Sequence, residues 1–298
     1  MKWSVSARPY RACLVPFPLS PSPGFLPLAP CPSPHVPDCL SHAPWPMPLL
    51  RAALALILAA SPSAAQDARP IMEEAQRRTE ATSQHYEGLL QVVDSKGKIS
   101  DKRWVYERVG SHGRSKSVLT FVQPAEVKGV ALLVVNFPDR ASDQWMWTPA
   151  IQRERRIALQ DRSTRFFGTD FSFEDLEERD TGQYDYTMLG EESLEGVACW
   201  KVESRPRKGK SSQYTSSIVW VRKDNYAFQR IENFIKGAVV RRLRYSKIEN
   251  VQGIWTARVL EMADLKRNSR TILTFEKLEY NVPMKEENFT LQALRRGR

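Results

Sequence analysis

Histidine and cysteine are scarce in this 298-residue chain, which holds four of each, and beyond residue 66 only His85, His112 and Cys199 remain. So few soft ligands, with no ligand spacing among them, exclude a typical His/Cys metal site, and a lone cysteine excludes an internal disulfide. Cys199, beside Trp200 in a strand-like run, reads as a small core residue. The chain also lacks a Gly-x-Ser-x-Gly elbow, a phosphate-cradling glycine loop and a dinucleotide fingerprint, so nothing in it supports an enzyme. Long apolar runs are missing too. The run Ala52 to Ala60 is too short to span a bilayer as a stable anchor, and no other segment could cross one.

That short run has another use. Arg51, the apolar stretch and Ser61-Pro62-Ser63-Ala64-Ala65 together make a secretory leader over 47–65, with cleavage expected before Gln66. No cysteine follows the cleavage site, so lipid attachment there is not expected, and export predicts a periplasmic protein in a host with two membranes. Residues 1–46 hold 12 of the 20 prolines without a hydrophobic period. Such a stretch cannot build a packed core, and translation is expected to start at Met47. Residues 66–298 then form one domain with 40 basic against 33 acidic residues, a net charge of +7. A basic balance suits anionic lipid, acidic protein or polyanion, or serves solubility alone. Nucleic acid fits the charge but conflicts with export and with the absence of any recognition module.

Patterning predicts a mainly β fold. A helix over Ile71–Thr82 starts after Pro70, and from Tyr86 the period becomes two. Leu90 and Val92 share a face, Ser95-Lys96-Gly97-Lys98 turns, and Trp104, Tyr106 and Arg108 alternate with Val105, Glu107 and Val109. Strands follow at 116–123, 129–137, 143–148 and 152–158, punctuated by prolines. A second run covers 184–191, 197–204, 215–222, 226–235, 239–249, 254–262 and 271–280, with turn-forming residues between. About eleven strands in a meander, one leading helix and a helical insert suggest an incomplete antiparallel β-barrel whose concave face is covered by the helices.

The insert, 161–181, breaks the strand rhythm. Short helices are expected over 162–167 and 172–178, the second capped by Ser172 with Asp175 three residues on. Phe166, Phe167, Phe171 and Phe173 flank the turn Gly168-Thr169-Asp170 and cannot share one strand or helix period. They either form an aromatic lid over a concave sheet or plug the barrel's open edge as core. The acids Glu174, Asp175, Glu177, Glu178 and Asp180 read as a solvated helix face rather than an acid/base pair.

Three segments carry a resemblance: Gly168-Thr169-Asp170-Phe171-Ser172-Phe173-Glu174-Asp175-Leu176; Gln144-Trp145-Met146-Trp147-Thr148-Pro149 with the basic Arg153-Glu154-Arg155-Arg156; and Gly196-Val197-Ala198-Cys199-Trp200-Lys201-Val202. Over 72–294 the chain resembles the outer-membrane lipoprotein-sorting proteins, relatives of the LolA and LolB carriers. The resemblance implies an incomplete barrel closed by helices around a hydrophobic cavity that receives acyl chains of lipoprotein or phospholipid. It implies no cofactor and supplies no catalytic or headgroup residue. An inner-membrane transporter and transient contact with a membrane surface are the expected partners. The competing reading is an adaptor subunit of a lipid exporter that carries nothing itself.

The cavity-lining candidates are Leu133, Val135, Trp145 and Trp147 together with Phe166, Phe167, Phe171 and Phe173. The two indoles share one face of their strand, opposite Met146, and are expected to point inward. Arg153, Arg155, Arg162 and Arg165 flank the aromatic segment and either meet a lipid phosphate or partner or are surface charge. Arg241, Arg242 and Arg244 read as a sheet's solvent face.

Overall fold

In the computed structural model the described residues are 67–296, which fall within one compact unit, Ala60–Arg298. The expectations for 1–46 and for the leader 47–65 lie outside the described residues. None of the described helices is long and apolar enough to cross a membrane.

Helix α1 (Arg69–Arg77) carries Pro70 in its first turn, where a missing N–H costs nothing, and buries Met72 and Ala75. It ends before the expected Thr82. Thr79 Oγ1 donates back to the Gln76 carbonyl at 2.8 Å, and the chain then extends into β1 (Ser83–Val93). Five strands continue the first meander: β2 (Ile99–Ser111), β3 (Arg114–Gln123), β4 (Ala131–Val135), β5 (Asp143–Thr148) and β6 (Arg153–Arg156). The second meander is β7 (Tyr184–Leu194), β8 (Val197–Pro206), β9 (Ser216–Arg222), β10 (Phe228–Ile235), β11 (Ala238–Val251), β12 (Ile254–Asp264) and β13 (Ser269–Tyr280). A short helix, α2 (Leu291–Arg296), follows.

The thirteen strands of the described residues lie in one antiparallel sheet, ordered β6-β5-β4-β3-β2-β1-β13-β12-β11-β10-β9-β8-β7. The two meanders meet at the centre, where Tyr86 stands opposite Leu278 and Leu90 opposite Leu273. β6 and β7 are therefore the free edges, and the sheet is open rather than closed into a barrel. The count is thirteen, against about eleven expected. Arg153-Glu154-Arg155-Arg156, inside the strand expected over 152–158, pairs with β5 in register.

Irregular pairing curves the sheet. Register shifts occur at Glu87/Gly88, Arg103/Trp104, Met188/Gly190 and Asn233/Phe234, and bulges of this kind bend and twist strands. Gly88 sits where a Cβ would come within 2.0 Å of the Thr274 carbonyl oxygen, so no side chain fits at the central seam.

Alternation then sorts the side chains. Leu90, Trp104, Phe121, Leu132, Val134 and Met146 share one face with Phe275 and Leu278. α1 and the connection from β6 to β7 cover this inner face, α1 packing on Val202, Val219, Val221 and Ile231. The opposite face carries Val118, Ala131, Leu133, Val135, Trp145 and Trp147, which pack under Phe289, Leu291 and Leu294 of the C-terminal segment.

Candidate functional site

Because β6 and β7 are opposite edges, residues 157–183 must cross the inner face as a strap. Twelve strand spacings of about 4.8 Å make an arc of about 58 Å, well inside the extended reach of that many residues. The strap is mostly irregular. No helix forms over 162–167, and 172–178 holds only a single tight turn, Glu174–Leu176. The expected helical lid is corrected in that respect: Phe167 (φ 44°) and Gly168 (φ 76°) take left-handed conformations, which reverse the chain so that the Phe166 N–H donates to the Phe171 carbonyl at 2.8 Å. The Ser172–Asp175 cap does form, with Ser172 N–H and Oγ donating to Asp175 Oδ2 at 2.7 and 2.6 Å.

Polar contacts pin the strap at successive points. Asp170, fully buried, accepts hydrogen bonds from Ser269 Oγ (2.6 Å), Thr271 Oγ1 (2.8 Å) and Arg165 Nη2 (2.9 Å). Asp175 accepts from Arg241 Nη1 at 2.6 Å and from the Tyr214 hydroxyl at 2.8 Å. Glu177 pairs with Arg162 at 2.6 Å, and Glu178 with the buried Arg108. Glu174 accepts from Ser212 Oγ and the Gln213 N–H. The acidic cluster is thus no solvated helix face. Its carboxylates compensate arginines that the strands direct inward, Arg108 and Arg241 among them; a buried arginine without such a partner would cost several kcal/mol.

The four phenylalanines divide. Phe166 stacks on Phe121 at 5.5 Å between ring centres, Phe167 and Phe173 pack edge-on against Phe166, and all three fill the core over β3 and β4. Phe171 instead faces a hollow of about 240 Å³ with Trp104, Leu119, Leu176, Leu260 and Phe275.

A second hollow, about 260 Å³, lies between α1 and the second meander and is lined by Met72, Tyr86, Phe228, Leu260, Phe275 and Tyr280, among others. Trp255, 40% exposed, stands in its wall, so the hollow reaches the surface there. Tyr86, Tyr245, Leu260 and Phe275 border both hollows. A third, about 290 Å³, is more polar, walled by Glu174, Glu178, Arg179, Tyr184, Ser217 and Asn233, and shares His112, Arg179, Phe228 and Tyr245 with the second. The inner face thus holds a chain of adjoining spaces, apolar in the middle and polar at one end.

Titration behaviour follows burial. Burial pushes the Tyr186 and Tyr245 phenols up to about 12 and Tyr86 well above its usual range, so all three are neutral at pH 7. His112 is held down to about 4, first by burial and then by the Arg108 charge, so its imidazole is neutral too.

The remaining sequence candidates lie elsewhere. Leu133, Val135, Trp145 and Trp147 face away from the hollows and pack under the C-terminal segment, so the inward orientation expected of the indoles is reversed. Two indoles on one face signal burial but not which cover buries them, and here Met146 faces in. Arg162 and Arg165 are occupied within the strap, Arg162 donating to Glu177 and the Ser142 carbonyl and Arg165 to Asp170 and the Thr169 carbonyl. Arg241 faces inward, whereas Arg242 and Arg244 pair with Glu232 and Glu195. Arg153 and Arg155 remain exposed on β6, Arg155 within 3.8 Å of Asp161. The residues that line the hollows come mainly from the second meander and the central seam, and their sequence signal was ordinary alternation.

An open, strapped antiparallel half-barrel with a hollow inner face is the LolA/LolB-like fold. A family described as "-like: Uncharacterized protein" matches residues 113–296, more than half of the chain, and the chain belongs to that family. A domain from Vibrio parahaemolyticus named for outer-membrane lipoprotein sorting superposes with a TM-score of 0.73 at 25% identity, covering 76% of this chain and 97% of that one. A DUF1329 family protein from Desulfovibrio piger gives 0.73 at 27% identity with the same coverage, 76% and 97%. A LolA superfamily protein from Nitrosomonas europaea gives 0.62 at 20% identity, covering 77% of this chain and all of that one, a likeness of fold alone. No curated protein matches the chain.

Proposed function

We propose that this protein is a periplasmic carrier that holds acyl chains of lipoprotein or phospholipid in its inner hollows and transfers them between membranes. The observation that carries the reading is the pair of adjoining apolar hollows behind α1 and the strap, about 260 and 240 Å³, which the protein's own side chains leave unfilled. Ligand pockets start at about 300 Å³, so the two spaces joined suit one acyl chain. Each methylene moved from water into such a lining contributes about 0.8 kcal/mol in the ideal limit, and ten half-buried methylenes give about 4 kcal/mol without any covalent chemistry. The name of the Vibrio relative, lipoprotein sorting, supports the same class of cargo.

The route in differs from a swinging aromatic lid. The strap is pinned by buried charge, whereas the opening beside Trp255 exposes apolar wall directly. Loading is expected through that opening, with an inner-membrane transporter as donor. The test is organic extraction and mass spectrometry of residues 66–298 purified from a membrane-containing host. Co-purified lipid in near-stoichiometric amount supports carriage; none, together with no uptake of added lipid, leaves a non-carrying adaptor.

A further inference from the structure

Four arginines that point into the strap and the inner face each meet a carboxylate: Arg108 with Glu178, Arg162 with Glu177, which Lys210 also approaches, Arg165 with Asp170, and Arg241 with Asp175. Arg179 breaks that rule. It borders both the apolar hollow under α1 and the polar one beside it. Its contacts are the Ser204 hydroxyl, 3.3 Å from Nη2, and the face of Tyr184, 4.7 Å from the guanidinium carbon. Among the described residues no carboxylate forms an ion pair with it.

A second observation lies on the same wall. Tyr186 is 7% exposed and Tyr245 is half-buried, both line the apolar hollow, and neither hydroxyl has a hydrogen-bond partner among the described residues. Neither phenol oxygen is fully enclosed, so both are reachable as donors from the hollow they line. Both stay protonated at neutral pH, which leaves two O–H donors beside a cation that lacks its anion.

Resting on the carrier reading, we propose that Arg179, with the Tyr186 and Tyr245 hydroxyls, binds the single anionic group, carboxylate or phosphate, of an amphiphile whose hydrocarbon chain runs into the apolar hollow. The guanidinium supplies planar paired donors, and the phenols complete the acceptor's shell. Glu177, Glu178 and Asp175 are already neutralised by arginines, and Glu174, held by Ser212 and Gln213, keeps its charge but acts on Arg179 only from beyond ion-pair distance. Their presence further along confines the anion to the Arg179 end.

The test is displacement of a neutral, environment-sensitive fluorophore from delipidated residues 66–298 by oleate, by monooleoyl phosphatidate and by oleyl alcohol, each below its aggregation concentration. A charge-assisted contact of ordinary strength makes the anions at least tenfold better competitors than the alcohol. Arg179→Gln brings that ratio to about one, the anions losing far more than oleyl alcohol does, and Tyr186→Phe lowers it severalfold. The order of oleate and phosphatidate identifies the preferred headgroup. Equal competition by all three in the wild-type protein overturns the assignment while leaving the carrier reading standing. Competition by none overturns both. The wild-type comparison decides the matter even where a variant folds poorly.

Discussion

Asp170→Ala tests the idea that buried charge, not apolar packing alone, holds the strap against the sheet. Asp170 is fully buried and accepts from Ser269, Thr271 and Arg165, so the substitution deletes three hydrogen bonds at 2.6 to 2.9 Å. Hydrogen bonds to a charged group are worth about 1.5–3 kcal/mol each when both ends are buried. Thr271 is fully buried and recovers nothing, but Ser269 and Arg165 are partly exposed and regain water. The expected cost is therefore about 3–5 kcal/mol rather than the full sum, a large part of the 5–15 kcal/mol that holds a domain together. For this size of domain it lowers Tm by roughly 10 °C. Urea unfolding followed by circular dichroism reads the loss, and a double-mutant cycle with Thr271→Val isolates that one contact, with about 1–2 kcal/mol of coupling expected. A loss below 1 kcal/mol, or additivity within experimental error, refutes the reasoning and makes the strap a passively packed loop.

Leu260→Trp places a large ring where the two apolar hollows meet; lipid recovered on extraction falls severalfold while Tm changes by less than about 3 °C, because space is filled rather than created. Trp147→Ala, on the opposite face, costs about 2–4 kcal/mol and makes 284–296 sensitive to limited proteolysis, with lipid retention unchanged. Phe173→Ala opens a cavity against Phe166 and costs about 3–5 kcal/mol, read by denaturant melt. The folded protein resists protonating His112, which has Arg108, Glu178, Asp180 and Thr79 around it. The unfolded chain takes up that proton near pH 6.5, so stability falls as pH drops from about 6.5 to about 4, and His112→Gln removes about 2 kcal/mol of that slope in melts across the window.

Strand positions were legible because alternation is a local signal, and β5 over Asp143–Thr148 was read to the residue. The partnership of β1 with β13 was not, since nothing local to Tyr86 or Leu278 names a partner so far along the chain. That pairing decides everything about the site. It makes β6 and β7 the edges, sends 157–183 across the inner face, and so turns Arg241 from a surface candidate into a strap anchor beside Arg108. Orientation failed for the same reason at Trp145 and Trp147. Their strand offers two indoles on one face and Met146 on the other, and which face lies inside depends on the strap and on Phe289 to Leu294, elements whose docking no periodicity encodes. The Phe segment carried its signal correctly as burial, but three of its rings are core and only Phe171 reaches a hollow.

Placing the first and last strands side by side in mid-sheet also governs the order of assembly. Until Ser269–Tyr280 has been synthesised, the growing polypeptide can offer only two half-sheets, each with a raw flank of unsatisfied amides. A stitch between segments so far apart in sequence delays compaction of the sheet, and this long-range closure makes folding slow.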